Sequence, residues 1–296
     1  MGNAMRRLNG FARGLGAAAL SAVLLLALGA GAIRTAGANQ QDDRIVALAY
    51  DPSTDTLLKA QTRTLFRSRD RGESWQAIAI PSLENGRIAS IAVSPPGKGV
   101  MYVVGIGLGV LRTEDGGKSW VERNEGLPGR DVIAVAAHTT QPETVYVVVP
   151  DHGVYRSQDA GKNWRLMDRG SLGGIKQLIH SDMPGSMQTG WLFAATSKGI
   201  RRSMDCFCLW QDAGKLESEV YSVTYDPGQP EHIYAATENG LFRSTDGGES
   251  WVQTTSPGSK VVALAFARTG TLYAVNDEGI LFRSKDKGDT WNQVNA

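Results

Sequence analysis

An eight-residue pattern, S/T-x-D-x-G-x-x-W, recurs at near-constant spacing through most of this 296-residue chain. Such a period restricts the fold to architectures that stack one small unit. Five copies are complete, at residues 68–75, 113–120, 157–164, 244–251 and 284–291. A sixth, at 203–210, keeps Ser203, Asp205 and Trp210 but has Phe207 where the others have Gly. The tryptophans fall 45, 44, 46, 41 and 40 residues apart. The residue types make a turn: Ser or Thr and Asp bond nearby backbone groups, Gly takes the positive φ, and Trp covers the hairpin while its N–H seeks an acceptor. The repeated residues Asp70, Trp75, Asp115, Trp120, Asp159, Trp164, Asp205, Trp210, Asp246, Trp251, Asp286 and Trp291 are therefore read as structural.

This pattern resembles the Asp-box, or bacterial neuraminidase (BNR) repeat, over essentially all of residues 44–296. The resemblance implies a β-propeller with each box between the third and fourth strands of a blade, away from the ligand-binding face. The units around the boxes repeat in register and assign four strands each. The first, as in Ile45–Tyr50 or Ile88–Val93, is apolar or small on both sides, as expected of an innermost strand held between neighbours. Large aliphatics (Leu48, Ile91, Val135, Leu178, Val223, Leu264) stand beside small residues (Ala49, Ala92, Ala136, Thr224, Ala265), with Ile179 the exception. The second strand centres on Leu58 or an aromatic residue, the third ends in an Arg just before the box, and the fourth follows the Trp. The fold class is thus all-β, a propeller of six four-stranded antiparallel blades, with seven the alternative count. The repeat begins on an innermost strand and ends on an outermost one, so closure has to rest on packing between the first and last blades.

Residues 1–43 read separately, as an export signal or membrane anchor ahead of a 44–296 propeller domain. Arg6, Arg7 and Arg13 precede an uncharged stretch, residues 15–33, long enough to attach the chain to a membrane. Ala36-Gly37-Ala38 offers a cleavage site near Ala38, so the expected location is periplasmic or extracellular by either route. Residues 44–296 carry 27 basic and 28 acidic side chains, a balance that argues against a nucleic-acid partner.

Function is expected on the face shared by the unit-to-unit loops and the turns between second and third strands. Arg44, Arg87, Arg130 and Lys260 enter the inner strands there, with Lys176 slightly further in and His152 on a neighbouring turn; Asp131, Glu217 and Glu219 share the face. Such a partial basic rim suits an anionic group or acidic peptide. The histidines lack ligand spacing, so no metal and no cofactor is expected. The fourth unit departs most, with a longer loop before an additional Trp191 and with Cys206-Phe207-Cys208 in its box. A partner contact, a Cys-x-Cys disulfide and sequence drift all remain open for it. The six pre-box arginines are read as structural, pairing with a neighbour's carboxylate or stacking on a ring.

Two function classes follow from the resemblance. Sialidase-like and related Asp-box glycoside hydrolases supply the enzymatic one, but Arg44-Ile45-Val46 and Arg87-Ile88-Ala89 lack the Pro of the sialidase Arg-Ile-Pro motif, and no catalytic residue is assigned. The chain is more similar to the photosystem II stability and assembly factor family, and more distantly to sortilin-type propellers. That similarity implies a non-catalytic propeller that binds or scaffolds a protein or peptide partner, as an assembly factor for membrane complexes does.

Overall fold

The computed structural model describes residues 44–294 except Ser82, Asn85, 170–173, Gln188, Asp205 and Cys208. The expected signal or anchor at 1–43, with Ala38, and the box carboxylate Asp205 therefore lie outside the described residues. Six four-stranded antiparallel sheets follow one another, each pairing its strands in chain order. The innermost strands are Ile45–Asp51, Arg87–Val93, Ala134–Ala137, Gln177–Ser181, Val220–Asp226 and Val261–Phe266, one per blade. The outermost are two to four residues long, which leaves little unpaired edge for another chain to join. Among the described residues no helix is long and apolar enough to cross a membrane.

The core lies between blades. Ala47, Leu58 and Ala60 of blade one pack with Ile88, Ile91 and Val103 of blade two, and Ala136 of blade three packs with Leu178 of blade four. A small residue of one blade thus meets a large aliphatic of the next, which lets wedge-shaped sheets converge on an axis. The ring closes by the same means. Ile45, Leu48 and Leu57 of blade one share a cluster with Ala263, Ala265, Leu281 and Val294 of blade six. A Cβ on Gly72 would lie 2.1 Å from Leu281 Cδ2, so a larger residue in the first box would have to displace that side chain of the last blade.

Each box turn is a small closed network. In blade one, Ser68 Oγ donates to Asp70 Oδ1 at 2.7 Å, the Gly72 amide donates to Ser68 Oγ at 2.6 Å, and the Ser74 amide donates to Asp70 Oδ1 at 2.9 Å. Blade six repeats these bonds around Asp286 at 2.7, 2.8 and 2.9 Å. Two successive residues take positive φ: Arg71 (62°) and Gly72 (96°), Ala160 (64°) and Gly161 (83°), Lys287 (60°) and Gly288 (94°). Hydrogen bonds to Ser74 and Ser68 hold the Asp70 carboxylate down to about 2, and bonds from Thr290 do the same for Asp286.

The tryptophan does more than cover its own hairpin. Its N–H reaches back to a carbonyl beyond the last strand of the preceding blade: Trp120 to Ala79 at 3.0 Å, Trp164 to Arg123 at 2.8 Å, Trp251 to Ala213 at 2.8 Å and Trp291 to Thr255 at 3.1 Å. The pre-box arginine reaches the other way. It stands across from the second-strand aromatic, as in Tyr102 opposite Arg112 and Phe193 opposite Arg202. Arg67, Arg202 and Arg243 then donate to Gly116, Gly247 and Lys287 carbonyls in the following box at 3.4, 2.6 and 3.3 Å. Arg283 of blade six faces Glu73 of blade one at 3.8 Å and carries the pattern across the closure.

The seam between blades three and four is built differently. Trp210 Nε1 is buried without an acceptor among the described residues. Phe207 occupies the glycine position at φ 57°, a strained conformation for a bulky residue, and its ring packs 5.6 Å from Tyr146 and 6.3 Å from Trp210. Beyond Tyr146 lie two buried histidines, His138 and His180, with ring centroids 3.9 Å apart. His138 Nδ1 accepts the Thr140 and Gln141 amides at 3.2 and 3.1 Å, and His180 Nδ1 accepts the Thr139 amide at 3.3 Å. Burial, and then the adjacent His138, push the His180 imidazole down to about 3. The long loop of blade four bridges outward: Met183 packs into the cluster shared with blade five, and Trp191 Nε1 donates to the Pro184 carbonyl at 3.3 Å. Cys206 is disulfide-bonded; the sequence holds one other cysteine, Cys208.

Two expectations follow. Both Trp164→Phe and Trp210→Phe lose ring volume, but Trp164→Phe also leaves the Arg123 carbonyl without its donor whereas Trp210→Phe removes an unpartnered one, so the former should cost about 1 kcal/mol more in denaturant unfolding; equal losses would contradict the clamp. Stability should also fall with pH in two stages. His180 is neutral in the fold and takes a proton when unfolded, so stability drops below about pH 6.5, approaching about 1.4 kcal/mol per pH unit. The box carboxylates, held below their ordinary value, contribute stability that is fully present above about pH 4 and lost as pH falls towards 2. Melting temperatures from pH 8 to 2 should show both stages, and His180→Phe should remove the upper one.

Candidate functional site

The two ends of the propeller are chemically distinct. On one face lie the boxes and the turns between first and second strands, joined by bonds such as Gly116 amide to Gly99 carbonyl (3.0 Å) and Ala160 amide to Glu143 carbonyl (2.8 Å). On the other lie the blade-to-blade loops and the turns between second and third strands. There the Thr62 amide donates to the Arg44 carbonyl (3.2 Å), the Ile88 amide to the Thr62 carbonyl (2.8 Å) and the Asp277 amide to the Lys260 carbonyl (2.9 Å). The sequence-derived rim residues occupy this loop face.

Their side chains do not form one ring. Arg44 and Arg87 are exposed and have no side-chain partner among the described residues. Arg130 turns outward, donating from Nη2 to Glu122 Oε2 at 2.6 Å on the outermost strand of blade two. Lys176 is paired with Glu219, and that ammonium is the main reason the Glu219 carboxyl sits below the ordinary value. His152 Nδ1 donates to the Pro150 carbonyl at 2.9 Å and remains exposed. Asp131 Oδ1 accepts the Gly107 amide at 2.8 Å, which ties that acid into the turn.

The residue that organises the other side of the rim is Tyr221. Lys260 Nζ lies 4.1 Å and Lys176 Nζ 5.0 Å from its ring centroid, within the range of cation–π attraction. The Tyr221 hydroxyl, followed by the Glu219 charge, holds the Lys260 ammonium above its ordinary value despite partial desolvation. The ladder skips Tyr221, its register shifting between Val220 and Ser222; such a bulge re-aims a side chain. Sequence reasoning missed this residue. The available signal was its position, since the residue after the first aliphatic of each repeat unit is Val46, Ala89, Ile133, Lys176, Tyr221 and Val262, polar or aromatic in only the fourth and fifth. The loop face therefore presents two unpaired arginines on blades one and two and a partly neutralised lysine–tyrosine cluster across blades four to six. Among the described residues no group of three or more His, Cys, Asp or Glu is arranged to hold a metal ion.

These features define a BNR-type β-propeller with a mixed-charge loop face. A sequence model of the Photosynthesis system II assembly factor YCF48 family matches residues 38–193, and the chain belongs to that family. Residues 215–296 match the DUF6242 beta propeller domain. No curated protein matches the sequence. Among solved structures, YCF48 bound to D1 peptide is 20% identical, covers 86% of this chain and 83% of its own, and superposes with a TM-score of 0.58. YCF48 from Cyanidioschyzon merolae is also 20% identical, with 86% of each chain covered and a TM-score of 0.57. The GH74 enzyme of Niastella koreensis is 16% identical at a TM-score of 0.60 over 83% of this chain, which spans 46% of that enzyme.

Proposed function

We propose that this chain is an exported, non-catalytic propeller that binds a protein or peptide partner on its loop face and serves as an assembly factor for a membrane complex. The observation that carries this reading is family membership together with a relative solved with a bound peptide. The loop face adds the chemistry: Arg44 and Arg87 offer exposed forks for carboxylates, unpaired among the described residues. Lys260, held over Tyr221, adds a third cation. An acidic segment of a partner is the natural complement of blades one and two, where the neighbouring acid Asp131 is tied into its turn. Export through residues 1–43 would place the propeller where the exposed loops of a membrane protein are found.

In-cell crosslinking from a photoreactive residue at position 152 should capture a membrane-protein segment rich in acidic residues. Arg44→Glu with Arg87→Glu should lower affinity for that segment about tenfold or more with an unchanged melting temperature. Undiminished binding by the double variant would move the partner off this face. Residues 1–43 fused ahead of a phosphatase that is active only outside the cytoplasm should confer activity; a silent fusion would contradict export.

A further inference from the structure

The innermost strands enclose a cavity of about 200 Å3 that involves none of the loop-face cations. Its walls come from the C-terminal halves of those strands and the turns that follow, so it opens on the box face. The lining is tiered. The floor is made by Leu48, Ile91, Leu178 and Leu264, with Gln177 engaged by the Val223 amide, and by Ala49, Ala92, Thr224 and Ala265 one step nearer the mouth, the small residues that the converging blades require. Tyr50, Val93, Tyr225 and Phe266 form the walls above them, and the mouth divides into two arcs. Pro52, Pro95 and Pro227 give it rigid apolar edges, while Asp182 and Arg268 are exposed on blades four and six. Neither Asp182 nor Arg268 makes an ion pair or side-chain hydrogen bond among the described residues, and neither does the Tyr225 hydroxyl, which feels both charges.

An apolar floor beneath a collar of unpaired donors and acceptors matches one ligand geometry well. A peptide residue is apolar out to its side-chain tip and polar where the backbone begins. A hydrocarbon would leave the collar unused, and an ion would find no counter-charge on the floor. A cavity of about 150 Å3 already accommodates benzene, so this one has room for a side chain of leucine or phenylalanine size. We propose that the axial cavity on the box face binds one bulky apolar side chain of an extended peptide, with Tyr225, Asp182 and Arg268 bonding its flanking backbone. This site is separate from the loop face and does not depend on the partner bound there.

The test titrates the full-length protein with acetyl-Gly-X-Gly-amide peptides, X being Ala, Leu or Phe, followed by NMR. Leu and Phe should bind at least tenfold more tightly than Ala. Ala92→Leu, which fills the floor, should lower Leu-peptide affinity at least tenfold, while Arg268→Ala weakens all three peptides by a similar factor. Thr224→Leu serves the same purpose should Ala92→Leu fail to fold. The pair Arg44→Glu and Arg87→Glu should leave these affinities unchanged whether or not the loop face binds a partner. Equal affinity for the three peptides, no binding at millimolar peptide, or binding that survives a filled floor and fails only in the loop-face variant would overturn the assignment.

Discussion

The bond on which the assembly depends is the one from a box tryptophan to the blade before it. A four-stranded sheet of this size cannot bury both of its faces alone, so each blade is stable only between two others. The indole lays its apolar area into the seam and, through its N–H, fixes the angle at which the seam closes. The pre-box arginine reaches forward into the next box and completes a two-way clamp in the seams between blades one and two, four and five, and five and six. The last blade meets the first through apolar packing and one ion pair: Ile45, Leu48 and Leu57 share a cluster with Leu281 and Val294, and Arg283 faces Glu73. No strand exchange is needed, since apolar packing supplies what a shared blade would otherwise provide.

The seam between blades three and four shows what happens when a clamp is missing. With Phe207 in place of the box glycine and no acceptor for Trp210 among the described residues, the interface is filled by a column of rings, from Trp210 through Phe207 and Tyr146 to the two histidines. This substitution replaces a directional bond with dispersion and stacking. His180, whose imidazole is held below its ordinary value by burial, lies at the end of this column and lines the axial cavity. The disulfide at Cys206 sits in the same turn, where the usual glycine is absent.

Much of the fold was legible because the box is local chemistry. Ser68, Asp70, Gly72 and Ser74 satisfy one another within seven residues, so their spacing in the sequence already encodes the turn, and the strands follow from the phase between turns. The small residues Ala49 and Ala92 were equally readable as residues near the axis. The reach of Trp120 to Ala79 was not, since it joins groups 41 residues apart. Nor was the fate of each rim charge: Arg130 and Arg44 look alike in sequence, yet one is paired with Glu122 and the other is not. Tyr221 escaped notice because a bulge, invisible in a single strand's pattern, turns it towards the two lysines.

By itself, then, the sequence determined the repeat and the turn that builds each blade, both of which rest on contacts within a few residues, and it favoured six blades over seven. The tertiary structure decided which cations stay unpaired, where the axial cavity opens and which seam goes without a clamp. Those outcomes depend on side chains from different blades meeting across a closed ring, and a ring imposes its distances only once every blade is in place.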